Sequence, residues 1–257
     1  MLNPLIIISK KDQAGINISK FLSKSLKVHF VESESVYAED IDKKFPENDL
    51  IIFASKHQGS TPRMLSLHAP GNPSSNDFGG EKNTLCLTSG TILKTFFREL
   101  NENTPEGWNT TLECTHHGPN IESTPCLFIE IGSSKDDWEK TEAGKAIATT
   151  IENALILIKD KLENNLEYQT AIALGGPHYC PNFNKIQLSP DLAISHIIPE
   201  YQSPITETMI QEAINKTQEK VTTAIIDWKG LGKSEDRQKV IDILEQLNLN
   251  IIRTSEI

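Results

Sequence analysis

The feature that most constrains the fold is a series of short, continuously apolar segments spread along the chain. Examples are Pro4–Ser9, residues 49–54 and Gln169–Leu174, which read PLIIIS, DLIIFA and QTAIAL. Strands that are apolar at nearly every position are buried on both faces, as in a parallel sheet covered by helices. A helical pattern of apolar residues separates the first strands, at residues 15–26. The sequence therefore predicts an α/β fold with a mainly parallel mixed sheet flanked by helices.

The length and composition favour one globular domain. The 257 residues can bury a large core, and no internal repeat, linker or low-complexity tract is visible. We therefore expect a single catalytic domain of the α/β hydrolase type over residues 1–257. No apolar run approaches the length of a membrane span, and the N-terminal run lacks a basic region and a cleavage site. The expectation is a cytoplasmic protein that does not associate with membranes.

The charge of the chain limits the partners that can be expected. The net charge is −10, with 25 basic and 35 acidic residues, which argues against DNA and against a generic nucleic-acid-binding surface. The acidic surplus is concentrated in residues 99–167, which leaves room for a local basic face elsewhere. The candidate cations for such a face are Lys10, Lys11, Lys20, Lys24, Lys229, Lys233 and Arg237.

The first histidine motif lies in a segment where the strand and helix pattern dissolves. Residues 56–83 are rich in Gly, Pro, Ser and Asn, and we predict a long loop there. The segment contains His57 directly after a predicted strand, and His68 in the sequence HAPGN, which ends at Asn72. A loop of this length in a compact domain is usually functional, and ligands of open α/β sheets bind at loops that follow strands.

The second motif, ECTHHGP at residues 113–119, places a carboxylate, a thiol and two imidazoles within five consecutive residues. Carboxylate and neutral imidazole are usual ligands of a hydrolytic zinc ion, and imidazole is also the usual general base near neutral pH. Residues 109–112 read as a strand. Alternation along that strand would place Glu113 and His117 on one face and His116 on the other.

The third motif, GGPHYCP, follows the predicted strand Gln169–Leu174. Gly175 and Gly176 would allow backbone N–H groups to approach a ligand closely and to form an anion or oxyanion site. His178 and Tyr179 supply acid, base or ligand groups at the same point. A further histidine, His196, lies in the sequence SHIIPEY.

Six of the seven histidines fall in loops or at the ends of predicted strands. Loops after parallel strands can meet at one edge of a sheet, which would create an imidazole-rich pocket suited to metal-assisted hydrolysis. The pool of ligands for one or two zinc ions is His57, His68, His116, His117 and His178. The candidates for catalytic groups are His57, His117, His178 and Glu113. No HExxH spacing is present, so the spacing alone leaves the ligand set open.

Together these motifs resemble the D-aminoacyl-tRNA deacylases of the archaeal and plant type. The resemblance is carried by His57, HAPGN, ECTHHGP, GGPHYCP and SHIIPEY, and it extends to Lys229-Gly230, so it covers nearly the whole chain. Two positions depart from the family pattern: Pro177 stands where a third glycine is common, and Ser195 stands where a glycine often precedes HIIP. Since proline has no backbone N–H, Pro177 is unable to act as an oxyanion donor.

The resemblance implies a fold similar to phosphorylases and peptidyl-tRNA hydrolases, a three-layer sandwich. It also implies a zinc-dependent hydrolase that cleaves the ester between a D-amino acid and its tRNA, including D-tyrosyl-tRNA, as a chiral proofreading step. D-aminoacyl-tRNA would be its partner, and a monomer is expected. The expected substrate-binding residues are Asn72, Gly175, Gly176, Tyr179, His196 and Lys229.

Two other classes of function fit parts of the pattern. A nucleoside or nucleotide phosphorylase-like enzyme on a similar scaffold would need a phosphate loop with nearby arginines, but only Arg63 lies in the region of the histidine loops. A non-catalytic metal-binding or tRNA-binding protein would need a basic face without a deep pocket. The expected convergence of histidines argues against the second class.

Overall fold

The computed structural model describes residues 2–59, 62–164 and 168–257. The strands within them are β1 (Pro4–Ser9), β2 (Lys27–Val31), β3 (Leu50–Lys56), β4 (Met64–His68), β5 (Gly71–Asn72), β6 (Thr84–Leu85), β7 (Asn109–Leu112), β8 (Cys126–Gly132), β9 (Gln169–Leu174), β10 (Leu192–Ile198), β11 (Thr223–Ile226) and β12 (Asn250–Arg253). The helices are α1 (Gln13–Ser19), α2 (Ile41–Lys44), α3 (Gly90–Asn103), α4 (Lys135–Trp138), α5 (Thr141–Asn164), α6 (Pro181–Leu188), α7 (Glu207–Asn215) and α8 (Ser234–Gln246). None of these helices is long and apolar enough to cross a membrane.

Ten of these strands form two sheets, and the short strands β5 and β6 pair with each other. The first sheet has the order β2-β1-β3-β8-β4-β7, and the second has the order β10-β9-β11-β12. All neighbours are parallel except β4, which runs antiparallel to β8. Beyond β7 the backbone of Thr115 donates to the Ile197 carbonyl of β10 at 2.8 Å, which links the two sheets. The predicted α/β fold with a mainly parallel mixed sheet is confirmed.

The central strands are buried on both faces, as their apolar runs predict. Ile52 and Ala54 of β3 face a core that also contains side chains of α1, α3 and α5. Ile51 and Phe53 of the same strand face a second core, with Phe128 of β8 and Ile41 of α2. Side chains of α7 and α8 bury a further apolar cluster against the second sheet. This burial on both faces fixes the sheet positions from which the polar side chains of the site project.

Three predictions of local structure are wrong. Residues 56–83 are not one long loop, because they contain the fully buried strand β4. The carboxylates of Asp136 and Asp137, followed by an apolar helical pattern, predict one helix that starts there and runs to about Leu162. The structure divides this segment into α4 and α5, and Ser134 caps the first of them in a capping box with Asp137. The helix expected over residues 15–26 ends at Ser19. In the two helical segments the apolar pattern continues past the residue at which the regular backbone hydrogen bonding of the helix ends.

Candidate active site

Five of the predicted histidines meet in one cluster. His68 lies 4.4 Å from His116 and 4.8 Å from His117 between ring centroids. His178 lies 4.6 Å from His116 and 6.2 Å from His57. The predicted convergence of these imidazoles is therefore confirmed.

The place of convergence differs from the prediction. The cluster does not lie at the carboxyl edge of one parallel sheet, because β4 runs against β8. His68 at the end of β4 is paired with Phe128 in the interior of β8, and its ring stacks on the Phe128 ring at 5.3 Å between centroids. The imidazoles therefore lie on a face of the first sheet, where β4 and β7 end and the loop after β9 crosses from the second sheet.

Three of the imidazoles are oriented in the same way by the backbone. Nδ1 of His68 donates to the Ala69 carbonyl at 3.2 Å, and Nδ1 of His116 donates to the Cys114 carbonyl at 2.8 Å. Nδ1 of His117 donates to the carbonyl of the next residue at 2.7 Å. Since a neutral imidazole carries one N–H, each Nε2 keeps its lone pair. One ring nitrogen of each of the three histidines lies within 4.8 Å of those of the other two. Among the described residues, the buried Nε2 of His68 has no hydrogen-bond partner.

His116 and His117 share the cluster although they are adjacent in sequence, so the prediction from strand alternation is wrong. Strand β7 ends at Leu112, and His117 has a left-handed backbone with φ of 48°. This turn brings both rings to the same side, with centroids 4.3 Å apart. Thr115 points away instead, and its hydroxyl lies 3.1 Å from Nδ1 of His196.

Glu113 is the buried centre of the second half of the cluster. Nε2 of His178 lies 2.8 Å from its Oε2, and Nδ1 of His57 lies 3.1 Å from its Oε1 without the angles of a hydrogen bond. Burial favours the protonated acid, but His178 and His57 hold the pKa of Glu113 well below its usual range. Burial lowers the pKa of His178 less than its contacts with Cys114 and Glu113 raise it, to about 10. Glu113 is thus a carboxylate that two imidazoles approach on different oxygens.

The remaining imidazoles have the opposite electrostatic character. Burial, together with neighbouring His117, lowers the pKa of His68 to about 3. Burial also lowers the pKa of His117 to about 4 and that of His116 well below its usual range. These three rings are therefore neutral at physiological pH, which is the form that binds a metal ion.

Glu130 is a functional candidate that the sequence analysis missed. It lies in the interior of β8 and is only 3% exposed. The Ser55 hydroxyl donates to its Oε1 at 2.6 Å, and its Oε2 lies 3.7 Å from His57 and 3.8 Å from His68. Burial raises its pKa to about 7, against the effect of His57. The signal in the sequence was a single carboxylate within the apolar strand CLFIEIG, where a charge has no structural use.

The cluster forms the floor of a cleft of about 670 Å³. The Tyr179 hydroxyl lies 3.0 Å from Nε2 of His57 at one side of this cleft. Phe78 and Val36 also line the cleft. Cys114 lies behind His178, with its sulfur 3.5 Å from Nδ1, and the Tyr201 hydroxyl contacts the same sulfur at 2.9 Å. A cleft of this size holds a small organic group with its reactive bond above the imidazoles.

Known proteins of similar sequence identify the family of this chain. Residues 44–252 match the sequence model of a family described as D-aminoacyl-tRNA deacylase. The chain belongs to the D-aminoacyl-tRNA deacylase family. A member from Thermococcus onnurineus is 36% identical over 86% of this chain and 81% of the relative. A member from Methanocaldococcus jannaschii is 31% identical over 94% of this chain and 95% of the relative.

The structural comparison extends over the whole fold. The crystal structure of a conserved protein described as having unknown function superposes with a TM-score of 0.87 and 25% sequence identity. The match covers 99% of this chain and 96% of that protein. The resemblance of the motifs to the D-aminoacyl-tRNA deacylase family is thus confirmed by the sequence relatives, and the fold is that of the solved neighbour.

In this member of the deacylase family, several residues expected to bind substrate have structural contacts instead. His196 is fully buried, with its ring nitrogens near the Thr115 hydroxyl and the Lys216 carbonyl at 3.1 and 3.2 Å, so it does not line the cleft. The Asn72 amide donates to the Gly79 carbonyl at 2.8 Å and fixes the loop that carries Phe78. The prediction of substrate contact is corrected for His196, and Asn72 is a loop-fixing residue.

The glycine pair after β9 is also explained by packing. The Gly175 amide donates to the Ile198 carbonyl at 2.8 Å, so it is not available as an oxyanion donor. Gly175 and Gly176 have φ of 84° and 83°, and a Cβ on Gly175 would lie 2.8 Å from the Asp227 carbonyl oxygen. Lys229 lies beside this contact with an exposed side chain, outside the lining of the cleft. Of the expected substrate-binding residues, only Tyr179 lines the cleft.

The donor set fits a divalent metal ion such as zinc. Groups of three ligand atoms within 4.8 Å of one another include His68, His116 and His117, and also His57, Glu113 and His178. Imidazole and carboxylate are ligands of zinc, and the unpartnered Nε2 of His68 is what such a site requires. The phosphorylase alternative is not favoured, because Arg63 does not line the cleft. Its Nε instead pairs with Oδ1 of Asp137 at a distance of 2.8 Å.

Proposed function

We propose that this chain hydrolyses the ester of D-aminoacyl-tRNA, including D-tyrosyl-tRNA, to the free D-amino acid and tRNA, and that the reaction depends on zinc. Membership of the deacylase family supports the substrate class. The observation that carries the proposal is the buried set of imidazoles and carboxylates beneath an open cleft. An ester needs a water nucleophile, stabilisation of a tetrahedral oxyanion, and a proton for the leaving ribose oxygen.

His68, His116 and His117 would hold one zinc ion through Nε2, because each Nδ1 is already bonded to a backbone carbonyl. Carbonyl partners of this kind fix the tautomer and the orientation of a ligand ring. When bound, zinc supplies Lewis acidity and lowers the pKa of a water molecule towards neutrality. His57, Glu113 and His178 form a second set of donors, which allows for a second ion.

With one zinc ion bound by His68, His116 and His117, the groups of the second donor set would move and hold protons. His57 has Nδ1 near Glu113 and Glu130, and its Nε2 lies at the cleft beside the Tyr179 hydroxyl. An imidazole held in this way can donate a hydrogen bond to an oxyanion or a proton to the leaving oxygen. His178 is held by Glu113 at Nε2 and lines the cleft as a second acid or base. His117 would act as a ligand of the zinc ion. His57 and His178 would act by proton transfer.

The partner would be the aminoacylated 3′ end of tRNA, which places the protein in the cytoplasm with its substrate. Lys11 and Lys20 are exposed beside a shallow groove that shares Asp12 with the cleft. Lysines at this position can neutralise backbone phosphates of the acceptor end despite the acidic net charge. The expectation of a monomer stays a prediction.

The test is hydrolysis of matched D- and L-tyrosyl-tRNA by protein whose metal content has been measured. The D-ester should be cleaved at least about 100-fold faster in kcat/KM, a difference of roughly 3 kcal/mol in transition-state stabilisation. A matched control is His29→Gln, since His29 packs on Phe45 outside the cluster. Equal cleavage of both esters, or cleavage of neither by metal-loaded protein, would contradict the proposal.

A further inference from the structure

The lining of the cleft includes a large apolar side chain that is exposed to water. Phe78 is 65% exposed and lines the cleft together with Val36 and His117. Exposing an aromatic ring to water costs hydrophobic free energy, and ligand-binding clefts are lined predominantly by apolar and aromatic side chains. A ligand group that covers the ring would recover this free energy.

The backbone that carries Phe78 is fixed from several directions. The Phe78 carbonyl accepts from the Gly118 amide at 2.9 Å, directly after His117. The next carbonyl, of Gly79, accepts from the Asn72 amide at 2.8 Å. A Cβ on Gly79 would collide with the Val36 carbonyl oxygen, so the loop lies tightly against residues 35–37. These contacts hold the loop that carries Phe78 beside the histidine motif.

We propose that Phe78 stacks on the adenine of the 3′-terminal adenosine of the tRNA, an inference that rests on the proposed deacylase function. The ester bond joins the acyl group to the ribose of that adenosine, so the base must lie within one ribose of the imidazoles. Phe78 lines the same cleft as His117, and its carbonyl is bonded to the amide of the residue that follows His117. Aromatic side chains stack on nucleic-acid bases through their π faces.

The occupant is the base and not the amino-acid side chain for a chemical reason. Every tRNA substrate presents the same terminal adenine, whereas the acyl side chain changes from one D-amino acid to another. A ring on a fixed loop suits the constant part of the substrate. The cleft of about 670 Å³ is large enough for the adenosine and the acyl group together.

The test measures equilibrium binding of uncharged tRNA, which does not depend on hydrolysis. Intact tRNA should bind wild-type protein about 5- to 100-fold more tightly than tRNA that lacks the terminal adenosine. Phe78→Ala should bring this ratio close to one, and Phe78→Tyr should keep it, because the ring remains. The matched control is Ile156→Ala, since Ile156 is a 68% exposed apolar side chain of α5 outside the cleft.

Kinetics separate the base from the acyl group. Phe78→Ala should raise KM by a similar factor for D-alanyl- and D-tyrosyl-tRNA and change kcat by less than about threefold. A ratio unchanged by Phe78→Ala would overturn the inference, as would a loss of affinity that grows with the size of the D-amino acid. If wild-type protein prefers intact tRNA but hydrolyses no D-ester, the proposed function fails and the stacking contact stands.

Discussion

Nε2 of His178 and Oε2 of Glu113 lie 2.8 Å apart, although 65 residues separate them in sequence. The pair joins the end of β7 in the first sheet to the loop after β9 in the second sheet. The backbone reinforces it, because the Cys114 amide donates to the His178 carbonyl at 2.9 Å. The candidate active site is therefore built where the two sheets meet, and it depends on both.

Removal of the metal should abolish hydrolysis. Chelation by 1,10-phenanthroline should reduce D-ester cleavage to background, and added zinc should restore it. The reason is that His68, His116 and His117 could together hold an ion, and that the buried Nε2 of His68 has no hydrogen-bond partner. Elemental analysis should show metal in wild type and in His29→Ala, and loss of at least one ion in His68→Ala. Full activity of protein verified as metal-free would contradict the prediction and leave the histidines as acids and bases alone.

Replacement of Glu130 by glutamine should lower kcat/KM about 10- to 100-fold, the usual effect of removing a group that orients metal ligands. The amide lacks the charge that faces His57 and His68. Glu219→Gln serves as the control, since Glu219 accepts from Ser89 and the first amides of α3, far from the cleft. Steady-state kinetics on D-tyrosyl-tRNA, with thermal melting to verify folding, decide the result. Equal rates for the two variants would remove Glu130 from the mechanism.

Charge reversal beside the cleft should weaken tRNA binding more than it slows the reaction. Lys11→Glu combined with Lys20→Glu should raise KM with little change in kcat, because phosphate contacts are made equally in the ground state and the transition state. The same outcome is predicted for Lys229→Glu with Lys233→Glu, both exposed. The control is Lys159→Glu on α5, whose side chain pairs with Glu163. KM measured at several salt concentrations would show which pair contributes, and unchanged constants would exclude that surface.

Asp42 should make stability depend on acid pH. Its carboxylate accepts hydrogen bonds from the amides of Glu122 and Ser123 and from the Ser123 hydroxyl, at 2.8 to 3.0 Å. Burial raises the pKa of Asp42 less than these bonds lower it, so it lies below its ordinary value of 3.8. The stabilisation is therefore fully present above the unfolded-state pKa and is lost as pH falls through the lower folded-state pKa.

Asp42→Ala should accordingly lower the free energy of unfolding by about 2 kcal/mol at pH 7, the effect of losing hydrogen bonds to a charged group. The difference from wild type should shrink as the pH falls below the ordinary pKa of 3.8, which thermal melts across pH would show. Asp136→Ala is the control, because Asp136 is exposed in the first turn of α4. A difference that stays constant across this pH range would mean that packing, not charge, stabilises the segment.

The sequence by itself determined the fold class and the chemical inventory of the site. Continuous apolar runs such as Pro4–Ser9 and Gln169–Leu174 predict strands with the observed bounds, because burial on both faces leaves a local pattern. The motifs around His57, His116 and His178 predict the cluster for a similar reason. Groups that do chemistry are concentrated in loops after strands, and this is visible in a single chain.

Only the tertiary structure decided the geometry. The direction of β4 relative to β8 depends on which strand β4 pairs with. The sequence therefore predicts that His68 follows a strand, but it does not predict that His68 lies against Phe128. The left-handed turn at His117 depends on its contacts with the fold, and without it the two adjacent rings would face opposite ways. Glu130 joins the site because neighbours from β3 and β4 surround it. Local patterns are set by burial along one segment, whereas strand pairing and side-chain convergence are set by contacts between segments distant in sequence.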